Sequence, residues 1–162
     1  MSAIMPSQNQ ILRHLARTHE IAVEAVRDGH HPFGALLVAA DNETVLLEQA
    51  NIDTVNHAES TLLRRAYKEF GEVFLQDCSL YTNVEPCCMC AGTLYWANVG
   101  CLVYGISERQ LLAATRDHSE NPTLNIPCRY VFEHGQKNIK VIGPVPQLEA
   151  IILQLQRDFW QR

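Results

Sequence analysis

From Ser79 to Tyr104 the chain reads SLYTNVEPCCMCAGTLYWANVGCLVY, and this stretch decides the fold. Ser79 to Val84 alternates in the manner of a strand. Pro86 suits the first position of a helix, where no backbone donor is needed, so a helix is expected from there to about Asn98. Cys101 to Tyr104 is a short apolar strand. The three together make a βαβ unit.

Upstream, Ser7 is placed to cap a helix running to about Asp28, with Ile11, Leu15, Ala22 and Val26 at roughly helical spacing and Gly29 as its stop. Phe33 to Ala40 reads as a buried strand, Asp41-Asn42 as a turn, and Thr44 to Ala50 as a second strand folding back on the first. Ala58 to Phe70 repeats Leu62, Leu63, Ala66 and Phe70 at helical spacing, and Gly71 follows as a C-terminal cap. Downstream, Ser107 caps a short helix over Arg109 to Ala114, and Thr115 to Pro127 shows no period and reads as a functional loop. Ile139 to Ile142 is a last strand, and Gln147 to Trp160 a helix with Ile151, Leu155 and Phe159 on one stripe. The expected fold is α/β: a three-layer α/β/α sandwich around a mixed five-stranded sheet, forming one domain over residues 1–162.

The 162 residues are 47% hydrophobic, enough for a core without disulfide staples. The N-terminal residues lack the charged stretch and apolar run of a signal peptide, and no segment approaches the roughly 20 apolar residues that span a bilayer. A cytoplasmic protein without membrane contact is expected, with its six cysteines reduced. The formal charge of −5 and scattered basic residues, among which Arg64-Arg65 is the only adjacent pair, argue against a nucleic-acid partner.

The chemistry lies in two short strings, His57-Ala58-Glu59 and Pro86-Cys87-Cys88-Met89-Cys90, each at the start of a helix. A CxxC on a first helical turn turns both sulfurs to one point, and a His from a neighbouring helix supplies a third zinc ligand. One tetrahedral position stays open, which separates a catalytic zinc from a structural one closed by four protein ligands. Glu59, too close in sequence to His57 for routine ligation, fits a proton shuttle. A redox pair is the competing reading of an isolated CxxC. Composition alone predicts only about 0.01 P-C-x-x-C strings in this chain, before an upstream H-x-E is required. Cys78, Cys88, Cys101 and Cys128 read as non-ligands.

H-x-E followed by P-C-x-x-C resembles the zinc-dependent nucleobase deaminases of the cytidine deaminase superfamily. The resemblance runs from Pro32-Phe33-Gly34-Ala35 through Asn51 and the metal motifs to Tyr95-Trp96-Ala97 and Tyr104. Glu85-Pro86-Cys87 with Met89-Cys90 is more similar to guanine deaminases and tRNA adenosine deaminases than to cytidine deaminases. It departs from their pattern at Thr54-Val55-Asn56, where Pro-Thr-Ala is common, in a segment several residues shorter.

The resemblance implies one Zn2+ per chain on His57, Cys87 and Cys90, with Glu59 as the catalytic proton carrier. It also implies ring contacts from Asn51 and Phe33, a backbone donor near Ala58 or Cys87, and an acidic group from the 115–127 loop, Asp117 before Glu120. Each has a plainer reading: Asn51 as a turn former, Phe33 and Trp96 as core, the loop acids as solvated charge, and His30 and His31 as exposed loop histidines. The expected reaction is hydrolytic deamination of a free purine base, guanine preferred. The alternatives are a tRNA wobble adenosine deaminase, a cytosine- or pterin-type deaminase, and a non-catalytic zinc-binding module. The resemblance further implies a homodimer in which the C-terminal helix crosses to the partner.

Overall fold

The hydroxyl of Ser7 accepts from Gln10 N at 3.2 Å while Gln10 Oε1 accepts from Ser7 N at 2.8 Å, a reciprocal cap that starts α1 (Gln8–Arg27). In the computed structural model, which describes residues 4–162, β1 (Gly34–Val38) and β2 (Val45–Ala50) follow as an antiparallel hairpin. Gly34 is needed because α1 crosses so closely that a Cβ there would lie 2.6 Å from Thr18 O.

Next come α2 (Ala58–Leu75), β3 (Ser79–Val84), α3 (Cys88–Ala97), β4 (Cys101–Ile106) and α4 (Glu108–Thr115), then α5 (Cys128–Glu133), β5 (Lys140–Ile142) and α6 (Pro146–Trp160). The sheet order is β2-β1-β3-β4-β5, with β1 antiparallel to both neighbours and β3, β4 and β5 parallel. The mixed five-stranded sheet expected from the sequence is therefore present.

Alternation along each strand divides the core into two layers. Leu37, Leu80 and Leu102 pack with Leu62 and Leu63 of α2, Leu94 of α3 and Phe132 of α5 on one face. Leu36, Tyr81 and Val103 pack with Leu15 of α1, Leu111 of α4 and Ile152 of α6 on the other. Every residue of β3 and β4 is buried, as parallel strands covered on both faces require. Among the described residues no helix is long and apolar enough to cross a membrane.

Several boundaries differ from expectation. Pro86 precedes the N-cap Cys87 instead of opening α3, because the chain is still leaving the sheet there and Glu85 N remains bonded to Ile106 O at 2.7 Å. Gly71, at φ 77°, breaks α2 as expected, yet one more turn continues to Leu75. The six-residue α5 was not anticipated, being too short to show a period and held by tertiary contacts of Cys128 and Phe132.

The stripe expected on α6 is also displaced by one residue. Leu148, Ile152, Gln156 and Trp160 face inward, while Ile151 is exposed. Gln156 is fully buried, donating to Pro32 O at 2.8 Å and accepting from Trp160 Nε1 at 2.8 Å. A polar residue in the inward row hides the true stripe from an apolar periodicity count. Within the chain, α6 packs on β4, α4 and α1.

Candidate active site

The C-terminal ends of β3 and β4 open beside the N-termini of α2 and α3, and a cavity of about 890 Å³ lies there, within the range of roughly 300–1,000 Å³ usual for small-molecule sites. His57 is the N-cap of α2 and Cys87 the N-cap of α3, both with extended backbone, and Cys90 follows one turn into α3. Neither cap bonds its helix through its side chain, so the imidazole and thiol are left to meet each other.

His57 Nδ1 lies 3.6 Å from Cys87 Sγ and 3.6 Å from Cys90 Sγ. Zinc with bonds of about 2.3 Å to sulfur and 2.0–2.1 Å to nitrogen at a tetrahedral angle separates N from S by about 3.6 Å, so the donor set fits that ion. His57 Nε2 lies 3.0 Å from Thr54 O. A carbonyl can only accept, so Nε2 carries a proton and Nδ1 faces the sulfurs, where its own proton must leave for a metal to bind. Among the described residues this is the group of three ligand-type side chains suited to a metal. Cys78, Cys88, Cys101 and Cys128 lie outside it.

The short segment before His57 is organised by Asp53, whose Oδ1 accepts from Val55 N at 2.9 Å and Asn56 N at 2.7 Å. Those bonds, led by Asn56, pull its carboxyl down to about 2. The turn presents Thr54 O to His57, so the departure at Thr54-Val55-Asn56 preserves the orientation of the imidazole. Cys87 is pulled down to about 4 by hydrogen bonds with Cys90 and His57, while Cys90 is pushed up by its bond to Cys87 and by burial. The pair thus gives up one proton readily and holds the other. The bond to Cys87 raises His57 to about 9.

Glu59, the second residue of α2, is 5% exposed. Its Oε1 accepts from Thr82 Oγ1 at 2.6 Å, and its Oε2 lies 3.6 Å from Cys90 Sγ. Burial pushes its carboxyl up, opposed by the Thr82 bond and the His57 charge. Asn51 is buried and lines the cavity, its backbone N–H bonded to Phe33 O at 3.0 Å. Phe33 is half-buried and lines the cavity while also packing on both core layers. The side chain of Ala58 is buried in the core, leaving its backbone N–H as what it can offer a ligand.

The loop after α4 reorders the acidic candidates. Asp117 is exposed and is not among the residues lining the cavity, whereas Glu120 is, with Oε2 3.5 Å from His31 Nε2. The tight turn at Arg116, with φ 55°, carries Asp117 past the rim. His30 and His31 are cavity residues, not exposed loop histidines: His30 Nδ1 contacts Ile52 O at 2.9 Å, and His31 packs edge-on against Trp160. Trp96 is 75% exposed, since its neighbour Tyr95 takes the inward position on α3 and accepts from Gln136 N.

Two functional-looking residues, Thr82 and Glu108, were missed from sequence, and Glu85 was read there only as part of a motif. Glu85 is buried, its two oxygens accepting from Glu108 N at 2.9 Å and Cys128 N at 2.8 Å, so it holds the starts of both α4 and α5. Glu108 lines the cavity at 4% exposure, and burial, ahead of the charges on Cys87, Glu59 and Glu85, raises it to about 9. In sequence it is indistinguishable from an ordinary acid at a helix start.

An α/β/α sandwich presenting a His-Cys-Cys donor set beside a buried glutamate defines a hydrolytic deaminase of the cytidine deaminase superfamily. A model of the MafB19-like deaminase family matches residues 9–135, and the chain belongs to that family. The chain is 31% identical to the probable cytosine deaminase of Schizosaccharomyces pombe over 92% of this chain and 91% of the relative. It is 39% identical to the guanine deaminase of Bacillus subtilis over 65% of this chain and 70% of the relative. The guanine deaminase structure from Nitrosomonas europaea superposes with a TM-score of 0.77 at 20% identity, covering 98% of this chain and 87% of that one, and shares the fold.

Proposed function

We propose that the protein hydrolyses the exocyclic amine of a free amino-heterocyclic base, guanine by preference, releasing ammonia. The observation that carries this reading is the cavity lining. It joins Asn51 and Phe33 to the His57, Cys87 and Glu59 end, and contains no Lys or Arg. A phosphate-bearing nucleotide or a tRNA anticodon would meet Asp53, Glu59, Glu108 and Glu120 with no lysine or arginine to neutralise it. The guanine deaminase relative supports guanine.

His57, Cys87 and Cys90 would hold one zinc, which when bound supplies Lewis-acid polarisation and a water made acidic enough to attack at neutral pH. Glu59 takes a proton from the attacking water and delivers it to the ring nitrogen beside the amino-bearing carbon. It then takes the second proton, from the hydroxyl now on the ring carbon, to the amine, so that the C–N bond breaks, a carbonyl forms and ammonia leaves; one carboxyl carries each proton in turn. Thr82 holds Oε1 of Glu59, which leaves Oε2 toward the thiolates and the ring. Asn51 anchors the ring through its amide, Phe33 covers a face, and the backbone N–H of Ala58 steadies the developing charge.

A cytosine-type substrate is the second reading, favoured by the full-length match to a relative named probable cytosine deaminase. A non-catalytic zinc module has no need of Glu59, whose burial is unfavourable. The exposed apolar side chains of Val73, Phe74 and Trp96 on the α2/α3 layer support a homodimer through that layer. Six free thiols fit a reducing cytoplasm. The test is ammonia release from guanine, a pterin, cytosine, adenosine and a tRNA by zinc-loaded protein. Turnover confined to adenosine in tRNA would overturn the free-base reading.

A further inference from the structure

Glu108 is a buried carboxyl that the fold does not use. It stands at the first position of α4, where an acid ordinarily lies in solvent and favours the helix dipole, yet it is only 4% exposed. The helix start is already satisfied without it. Its own backbone N–H goes to Glu85 Oε1 at 2.9 Å, and Ser107 Oγ accepts from Gln110 N at 3.1 Å while Gln110 Oε1 accepts from Ser107 N at 2.8 Å. Among the described residues its carboxyl forms no side-chain hydrogen bond or ion pair, and the acidic groups that influence it are Cys87, Glu59 and Glu85. A buried carboxyl with neither a donor nor a cation is unfavourable, and Leu or Val would fill the same volume at less cost.

The carboxyl reaches the cavity. Leu111, one turn further along α4, lines the same wall, so α4 offers an apolar surface beside one unsatisfied polar group. That pairing suits a flat heterocycle, with Leu111 covering part of the ring and Glu108 meeting its edge. The carbonyl oxygen of this carboxyl accepts whether or not the group holds its proton, and the negative charge around it disfavours an anion, so an N–H donor is the group it can meet in either state.

We propose that Glu108 is a substrate-binding residue that accepts a ring N–H, as the lactam edge of guanine or a pterin presents it. This rests on the base-deaminase reading of the same cavity. It adds a contact from α4 that neither the metal motif nor the loop acids supply.

The experiment compares wild type with Glu108→Leu and Glu108→Gln, all zinc-loaded, on guanine, a pterin, cytosine and adenine, with zinc content and Tm measured first. The expected result for Glu108→Leu is a loss of at least about twentyfold in kcat/KM on the lactam-bearing base that wild type turns over best, with KM rising more than kcat falls. Glu108→Gln retains a hydrogen-bonding edge and should lose less; if the Leu variant does not fold, a drop of about fivefold or more in the Gln variant decides the matter. Wild-type turnover of a base with both variants within twofold of it would overturn the role of Glu108 and leave the deaminase reading intact. If wild type released ammonia from none of the four bases, the base-deaminase reading would fall instead. Thermal shift would then judge Glu108: a guanine-induced rise in Tm present in wild type and absent in Glu108→Leu keeps the site, and equal behaviour in both chains overturns it.

Discussion

Thr82 donates its hydroxyl to Glu59 Oε1 at 2.6 Å across the seam between β3 and α2, while sharing that hydroxyl with Val84 O at 3.0 Å. One hydroxyl carries only one proton, and the short contact assigns it to the carboxyl. Thr82→Val keeps the shape and removes the donor. Zinc content should be unchanged and kcat should fall by about tenfold, the worth of one buried hydrogen bond to a charged group. An unaltered kcat in steady-state assays would show that Glu59 does not depend on this contact.

Removing the carboxylate itself should be far more severe. Glu59→Gln fits the same space and preserves an acceptor for Thr82, so the chain should fold and keep its metal. The kcat should drop by roughly 10²–10⁴ for want of a proton carrier. Near-normal turnover would end the shuttle assignment.

The donor set predicts a simple pattern in metal analysis. Cys87→Ala and Cys90→Ala should each lose the one zinc per chain, while Cys88→Ala, outside the cluster, should keep it. Equal loss in all three would refute the ligand assignment.

Glu108 has a signature in stability as well. Its carboxyl, raised to about 9 mainly by burial, binds its proton more tightly folded than unfolded. Folding stability must therefore fall as pH climbs from the unfolded value of about 4.3 toward the folded one. Glu108→Gln removes that dependence. The variant should melt above wild type at pH 8, with the gap shrinking toward pH 5; a gap independent of pH in calorimetry would contradict the buried-acid description.

The C-terminal helix gives the last test. Gln156 and Trp160 tie α6 to Pro32, next to Phe33 in the cavity wall, and Asn83 Nδ2 grips the same carbonyl at 3.1 Å. Truncation after Leu155 should lower Tm and raise KM through loss of this intrachain packing, whatever the protein concentration. A defect that appeared only on dilution would point back to a helix shared between subunits.

The sequence alone determined most of the elements and the grouping of His57, Cys87 and Cys90, for a physical reason: both rest on local patterns. Helical spacing at Leu62, Leu63 and Ala66, the caps at Ser7 and Ser107, and the C-x-x-C on one turn are statements about neighbours a few residues apart. Even the His57 and Glu59 pairing with Cys87 and Cys90 was legible, because each half sits at a helix start fed by a strand. What only the tertiary structure decided is which polar groups end up without water. Glu108 and Asp117 are both acids near α4, yet packing buries the first in the cavity wall and leaves the second in solvent. Thr82, Glu85 and Gln156 look like ordinary polar residues until Glu59, two helix starts and Pro32 arrive from distant parts of the chain. Burial, unlike periodicity, depends on what the rest of the molecule places on top.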